Sequence, residues 1–343
     1  ASGKKGDVVT ITGKFFGSAP DVLFANAAAV EYLVRNDSVI QVIVPPKAGS
    51  GSLKVTNLSG MSLSAQEYSH QYSYYVSLFA GSQTEAGEVV DVPATQARFE
   101  RISVEDIDEE GNLYCFDYKY ANPLYQRVKK ISRDGSLVTT LLNNEYIGQA
   151  YFYDMVVHKN ILYVAQFWYN SNNTWIHKID LITGVKTILY FNYVINRIAV
   201  DSNNQLFGWN YNGVFRLSDG GNVIPIENTI HFGIFEDQPL ISSTQGIYIY
   251  DGFSNPTALL TGCSYFFCFD YCTFRNKIIA YCAASVGFFV EKTSDGFDTQ
   301  NTTGQTIPEL STYQNVKTFS IDRLGNIFFS GEYDPFVLVA RYE

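Results

Sequence analysis

Charge is scarce in this chain, and basic charge is the scarcer kind. The 343 residues hold 24 Lys and Arg against 34 Asp and Glu, a net charge of −10 with only 17% charged residues. Recognition of nucleic-acid phosphates rests on clusters of Lys and Arg. None occurs beyond the Lys129-Lys130 pair, so no nucleic-acid partner is expected, and the negative surplus reads as a solubility device. Histidine is rarer still: His70, His158, His177 and His231 are the 4 present. No HxxxH or HExxH occurs, so no histidine-bound metal and no cofactor is expected. No GxSxG elbow presents a nucleophilic serine. No apolar run reaches the roughly 18 residues of a membrane span, and no signal peptide is visible. Met numbers only 2, and no long stretch repeats apolar residues at a 3.6 period, which leaves helix a minority state. The 5 cysteines, Cys115, Cys263, Cys268, Cys272 and Cys282, are odd in number and contain no CxxC. Buried thiols are the favoured reading, with one disulfide among the last four as the alternative.

What is abundant points to β-structure. Hydrophobic residues make up 46%, and 25 Tyr and 25 Phe raise the aromatic share to 15%. Aromatic and β-branched residues suit pleated sheet surfaces. Residues 6–17, GDVVTITGKFFG, alternate Val9 and Ile11 with Thr10 and Thr12 and close on glycine turns. VLF at 22–24, VIQVIVP at 39–45 and GSGSLKVTNLSG at 49–60 follow. Short strands separated by turns at this spacing imply a β-sandwich.

GDVVTITGKFFG, VIVP and GSLKVTN followed by Gly60 resemble the IPT/TIG domain, an immunoglobulin-like fold. The resemblance covers roughly residues 1–74. Members of that family begin with one more strand and a Pro-x-Ser-Gly turn. Ser2-Gly3 matches the end of that turn, so the first strand is expected upstream of Ala1.

From about residue 75 a longer repeat takes over. Its clearest unit is IDEEGNLYCFDYKYANPLYQRVKKISRDGSLVTTLL at 107–142, with related units at 156–190, 199–226, 234–260, 272–296 and 320–343. Each reads as strand, tight Asp/Asn/Gly turn, strand, loop, strand, and often a fourth strand. Four strands in 30–45 residues is the size of a propeller blade, and about six units are present. The final unit stops after three strands. YVSLFAG at 75–81 has the pattern of the missing one and is expected beside Val337–Arg341, closing the ring. The expected fold is therefore all-β: an immunoglobulin-like sandwich over 1–74 and a six-bladed propeller over 75–343. GNLYCFDY, VKKISRDGSLVTTLL and VSLFAGS followed by ATQARFERI resemble the NHL-repeat propeller. TIG followed by NHL repeats is similar to surface lipoproteins of Bacteroidetes-type bacteria. That resemblance implies an anchor upstream of this chain, a place on the outer face of the outer membrane, and an outer-membrane transporter complex as a partner.

Two groups of side chains could bear function. Glu105, Asp106 and Asp108 enter the first unit together. Innermost strands line a propeller channel, so Glu105 or Asp106 could face it, as acid/base groups or cation ligands. The plainer reading gives Asp108 the turn and leaves the others solvated. The second group is aromatic. Loops between second and third strands place Tyr118, Tyr120, Trp168, Tyr169, Trp175, Trp209, Tyr211 and Tyr333 near one face, among asparagines. Flat rings beside amides suit sugars, although rings also pack between blades. Tyr118, Tyr120, Trp168, Tyr169, Trp209, Tyr211 and Tyr333 are the candidate ligand-binding set. With no catalytic residue assigned, the expectation is a protein that is not an enzyme: a surface binder of a nutrient such as a glycan. An adhesion scaffold and a hydrolase or lyase of the channel are the alternatives.

Overall fold

A computed structural model describes residues 1–119, 125–144, 150–210, 213–218, 229–235, 237–243, 246–251, 255–261, 266–272, 277–282, 288–293, 305–311, 313, 315–331 and 333–343. Every extended element among them is a β-strand apart from one 3-10 turn, Pro308–Leu310. No described helix is long and apolar enough to cross a membrane. The chain divides into two compact units, Ala1–Tyr75 with Arg341–Glu343, and Val76–Ala340.

The first unit has two sheets. One orders Ser2–Gly3, Gly60–His70, Gly51–Asn57 and Asp21–Leu23; the other orders Val8–Thr12, Val39–Ile43 and Tyr32–Arg35. Alternation along the strands turns Val9, Ile40, Val42, Val22, Leu53, Val55 and Tyr68 to one shared apolar cluster. The outward positions are polar or exposed, as the period of two requires.

The second unit contains six antiparallel sheets among the described residues. Sheet I comprises Ile102–Ile107, Leu113–Lys119, Tyr125–Ile131 and Val138–Asn144. Sheet II comprises Ala150–His158, Ile161–Trp168, Asn173–Asp180 and Lys186–Phe191. Sheet III comprises Arg197–Val200, Leu206–Asn210 and Gly213–Arg216. Sheet IV comprises Thr229–Phe235, Gln238–Ser243, Ile247–Asp251 and Asn255–Leu260. Sheet V comprises Phe266–Cys272, Lys277–Cys282, Phe288–Thr293 and Gln305–Thr306. Sheet VI comprises Val316–Ile321, Ile327–Gly331, Phe336–Tyr342 and, on its outer side, Tyr74–Gly81. Gly81 ends that added strand at φ +82°, where a Cβ would collide with the Pro335 carbonyl oxygen. Only glycine fits there without strain.

The first strand of each sheet touches the first strand of the next, and Val316–Ile321 touches Ile102–Ile107, so the sheets close on themselves. Apolar layers fill the gaps. Tyr114, Phe116 and Val128 of sheet I meet Phe152, Leu162 and Val164 of sheet II. Phe207, Trp209 and Val214 of sheet III meet Phe232 and Ile241 of sheet IV. Phe328 and Val339 of sheet VI meet Val104 and Leu113 of sheet I. A second strand such as Ile161–Trp168 is buried on both faces, whereas Lys186–Phe191 at the rim is exposed. Burial on both sides explains near-continuous apolar runs where simple alternation would otherwise be seen.

The hairpins between first and second strands follow turn chemistry. The Asp108 carboxylate accepts from the Asn112 backbone (2.7 Å), the Asn112 side chain (2.8 Å) and the Tyr114 hydroxyl (2.9 Å). Asp322 repeats the arrangement with Asn326. Cys115 and Cys268 are buried free thiols, but Cys282 is disulfide-bonded. The preference for thiols throughout is thereby corrected.

Candidate functional site

Each first strand brings ionisable or polar side chains toward the middle of the ring. Five of the six carry a β-bulge, with Glu105, Tyr153, Ile230, Phe267 and Lys317 as the extra residues. A bulge re-aims side chains, and those at or beside the bulges include Glu105, Asp154, His231, Cys268 and Lys317. Arg197 occupies the unbulged strand of sheet III. A cavity of about 200 Å³ lies among these strands, lined by Glu105, Asp106, Asp154, His231, Asp270 and Ser320 with apolar neighbours.

Three carboxylates there bridge neighbouring sheets. Asp106 accepts the backbone N–H of Val157 at 2.7 Å, Asp154 that of Ile198 at 2.7 Å, and Asp270 that of Ile321 at 2.8 Å. Asp106 also accepts from Ile107 (2.8 Å), and Asp154 from Arg197 Nη1 (2.8 Å). Glu105 differs from these three. One oxygen accepts the Ser103 hydroxyl at 2.5 Å, and among the described residues the carboxyl backs no other sheet's N–H. Burial pushes its pKa up to about 7 against the pull of Arg197 and Lys317. Burial likewise pushes Asp106 up to about 8 and His231 down to about 3. A carboxyl that titrates near neutrality can both give and take a proton, the property a general acid/base needs. Lys317 Nζ donates to the Tyr118 hydroxyl at 2.7 Å and lies 4.5 Å from that ring's centre.

The solvated reading of Glu105 and Asp106 is therefore corrected: both line the cavity, and Asp108 alone makes the turn. Asp154, Arg197 and Asp270 were not singled out in the sequence, and His231 was counted only among four scattered histidines, because the four lie in four different strands.

The aromatic set is dispersed. Trp209 is 7% exposed within the layer between sheets III and IV. Tyr118 is buried beside Phe116 and Phe152. Trp168 is half-buried with its ring centre 4.9 Å from that of Trp175. Tyr169 (57% exposed) and Tyr333 (63% exposed) stand at the surface, the latter beneath the Arg101 guanidinium at 4.7 Å. Tyr120 and Tyr211 lie outside the described residues.

No family model and no curated protein matches the sequence. Solved structures do resemble the fold. A protein of unknown function from Bacteroides thetaiotaomicron matches at 14% identity and TM-score 0.60, over 100% of this chain and 96% of that one. A putative phosphatase from the same organism matches at 13% and 0.54, over 100% and 95%. A gluconolactonase from Xanthomonas campestris matches at 12% and 0.52, over 80% and 97%. The ring is a β-propeller. At such identities the likeness is one of fold. It nonetheless overturns the expectation that this chain is not an enzyme. Chains of this fold include a putative phosphatase and a gluconolactonase, and that expectation rested on assigning no catalytic residue, whereas the cavity gathers Glu105, Asp106, Asp154, His231 and Asp270. Counting Arg197 and Lys317, the ionisable groups of the first strands come from all six sheets, so no local motif announces them. Among the described residues no group of three or more His, Cys, Asp or Glu is placed to hold a metal ion.

Proposed function

We propose that the chain is an immunoglobulin-like IPT/TIG unit followed by a six-bladed NHL-type propeller, and that it takes a small hydroxylated nutrient, a glycan fragment, into the channel. There Glu105 moves a proton to or from the ligand, as in hydrolase or lyase chemistry. The observation that carries this reading is Glu105 itself: a cavity-lining carboxyl whose pKa is pushed up to about 7 and which no neighbouring backbone claims. Tyr169, Tyr333 and Trp168 would extend the contact for a longer glycan at the rim. A surface location fits the disulfide at Cys282, since disulfides persist in oxidising compartments. The proposed lipoprotein anchor and transporter partner rest on the IPT/TIG and NHL resemblance alone.

The test is conversion of a panel of glycosides and sugar lactones by the purified chain. Glu105→Gln should lower turnover about 10²- to 10⁴-fold, the span of general acid–base catalysis, with the fold retained. Trp168→Ala should raise KM and leave kcat nearly unchanged. Full turnover in Glu105→Gln would remove the role given to Glu105.

A further inference from the structure

Two buried serines hold Glu105. Ser103 is 1% exposed and Ser320 3%. Residues two apart on a strand share a face, and Ser103 precedes Glu105 by two within Ile102–Ile107. The register shifts at Glu105, and a bulge re-aims the side chain it carries. The Ser103 hydroxyl meets the carboxyl there and donates to Oε1 at 2.5 Å. The Ser320 hydroxyl, from sheet VI, donates instead to the Glu105 backbone carbonyl at 3.2 Å. One serine therefore holds the ionisable group, and the other holds the main chain that carries it.

The carboxyls of the cavity differ in the oxygens they have left. Both oxygens of Asp106 and both of Asp154 accept hydrogen bonds from the protein. Glu105 Oε1 takes the Ser103 hydroxyl, while Oε2, on a side chain that lines the cavity, has no hydrogen-bond partner among the described residues. A hydroxyl has one proton to give, so Ser103 occupies one oxygen and leaves the other. A donor to a carboxylate makes a charge-assisted bond and favours the ionised form. Burial, the largest influence on Glu105, favours the neutral form; Arg197, the Ser103 bond and Lys317 favour the charged one, and Asp154 opposes them. The Cys115 and Cys268 thiols feel the same charge.

We propose that Ser103 is the positioning residue of this site: its hydroxyl holds Glu105 Oε1, so that Oε2 alone meets the proton of the ligand. The inference rests on Glu105 being the proton-transfer group, and adds what sets its aim and the pH at which it works.

Carbon-13 NMR titration of the Glu105 carboxyl in three variants of the whole chain tests it. In Ser103→Ala the midpoint should rise by about one to two pH units, the effect of losing one hydrogen bond to a charged group. Ser103→Thr, which keeps the hydroxyl, should hold the wild-type midpoint. Ser320→Ala removes a buried serine bond from the same residue but not from its carboxyl, and should leave the midpoint where it is. With a glycoside or lactone that is turned over, the limb of the pH–rate profile set by Glu105 should move in Ser103→Ala by the same amount. The inference is overturned if Ser103→Ala leaves the midpoint in place, or if Ser320→Ala moves it as far. Loss of turnover in Glu105→Gln with no midpoint shift in Ser103→Ala would sink this inference and leave the proton-transfer role standing. A shifted midpoint with full turnover in Glu105→Gln would keep the hold of Ser103 on the carboxyl and remove the proton transfer.

Discussion

A carboxyl taken out of water holds its proton more tightly, because burial penalises the charged form. Glu105 and Asp106 are raised to about 7 and about 8, whereas in an unfolded chain they would titrate near about 4. From about pH 4 upward the folded chain keeps protons the unfolded chain releases. Their contribution to stability is complete below about pH 4 and is lost as pH rises through about 7 and 8. His231, lowered to about 3, acts oppositely, losing its contribution as pH falls below about 6.5. The difference between wild type and Glu105→Gln isolates the first effect. Urea melts from pH 5 to 8 should show stability falling less steeply in the variant, and equal slopes would refute the assignment.

Lys129 and Asp117 pose a different residue-scale question. Both side chains are fully buried, 3.9 Å apart. Burial raises Asp117 to about 6 and lowers Lys129. Removing one partner strands a charge, at about 3–5 kcal/mol. Lys129→Met should therefore destabilise more than the double change Lys129→Met with Asp117→Leu, as denaturant midpoints would report. Trp209→Ala should cost about 3–5 kcal/mol through the cavity it leaves between sheets III and IV. Tyr333→Ala, at the surface, should change stability by less than about 0.5 kcal/mol.

At the scale of elements, the strand Tyr74–Gly81 covers the outer side of Phe336–Tyr342. A chain beginning at residue 85 would leave that strand's backbone unpaired and should aggregate on refolding. Soluble, monomeric material by light scattering would count against this. The pairing was legible because the final repeat lacks a strand and YVSLFAG matches the gap in composition and pattern. The hairpins were legible for a comparable reason: Asp108, Asp201 and Asp322 are turn residues at recurring places. The bulges were not. One extra residue shifts the alternation of a strand, so Asp154 and His231 look like stray polar residues in apolar runs. The aromatic face failed to read as a surface for a related reason. Trp209 lies within Leu206–Asn210, where large rings fill the layer between sheets III and IV, Trp168 is half-buried against Trp175 of its own sheet, and among the described members of the set Tyr169 and Tyr333 stand exposed.

Across the second unit, the three carboxylates that accept a neighbouring sheet's N–H join the inner strands of sheets I and II, II and III, and V and VI. Asp270→Ala should lower stability by about 1–3 kcal/mol, the cost of leaving the buried Ile321 N–H without an acceptor, with the denaturant slope unchanged. Asp270→Asn, which retains an acceptor, should restore most of it. These bridges also explain why polar groups persist in the channel wall, so an acid there is not by itself evidence of chemistry. Glu105 is set apart because it makes no such bridge. The most direct test is a carbon-13 NMR titration of the Glu105 side-chain carboxyl, assigned through Glu105→Gln. The account predicts a midpoint of about 7. A midpoint near about 4, the value of a solvated glutamate, would contradict it and remove Glu105 as the proton-transfer group.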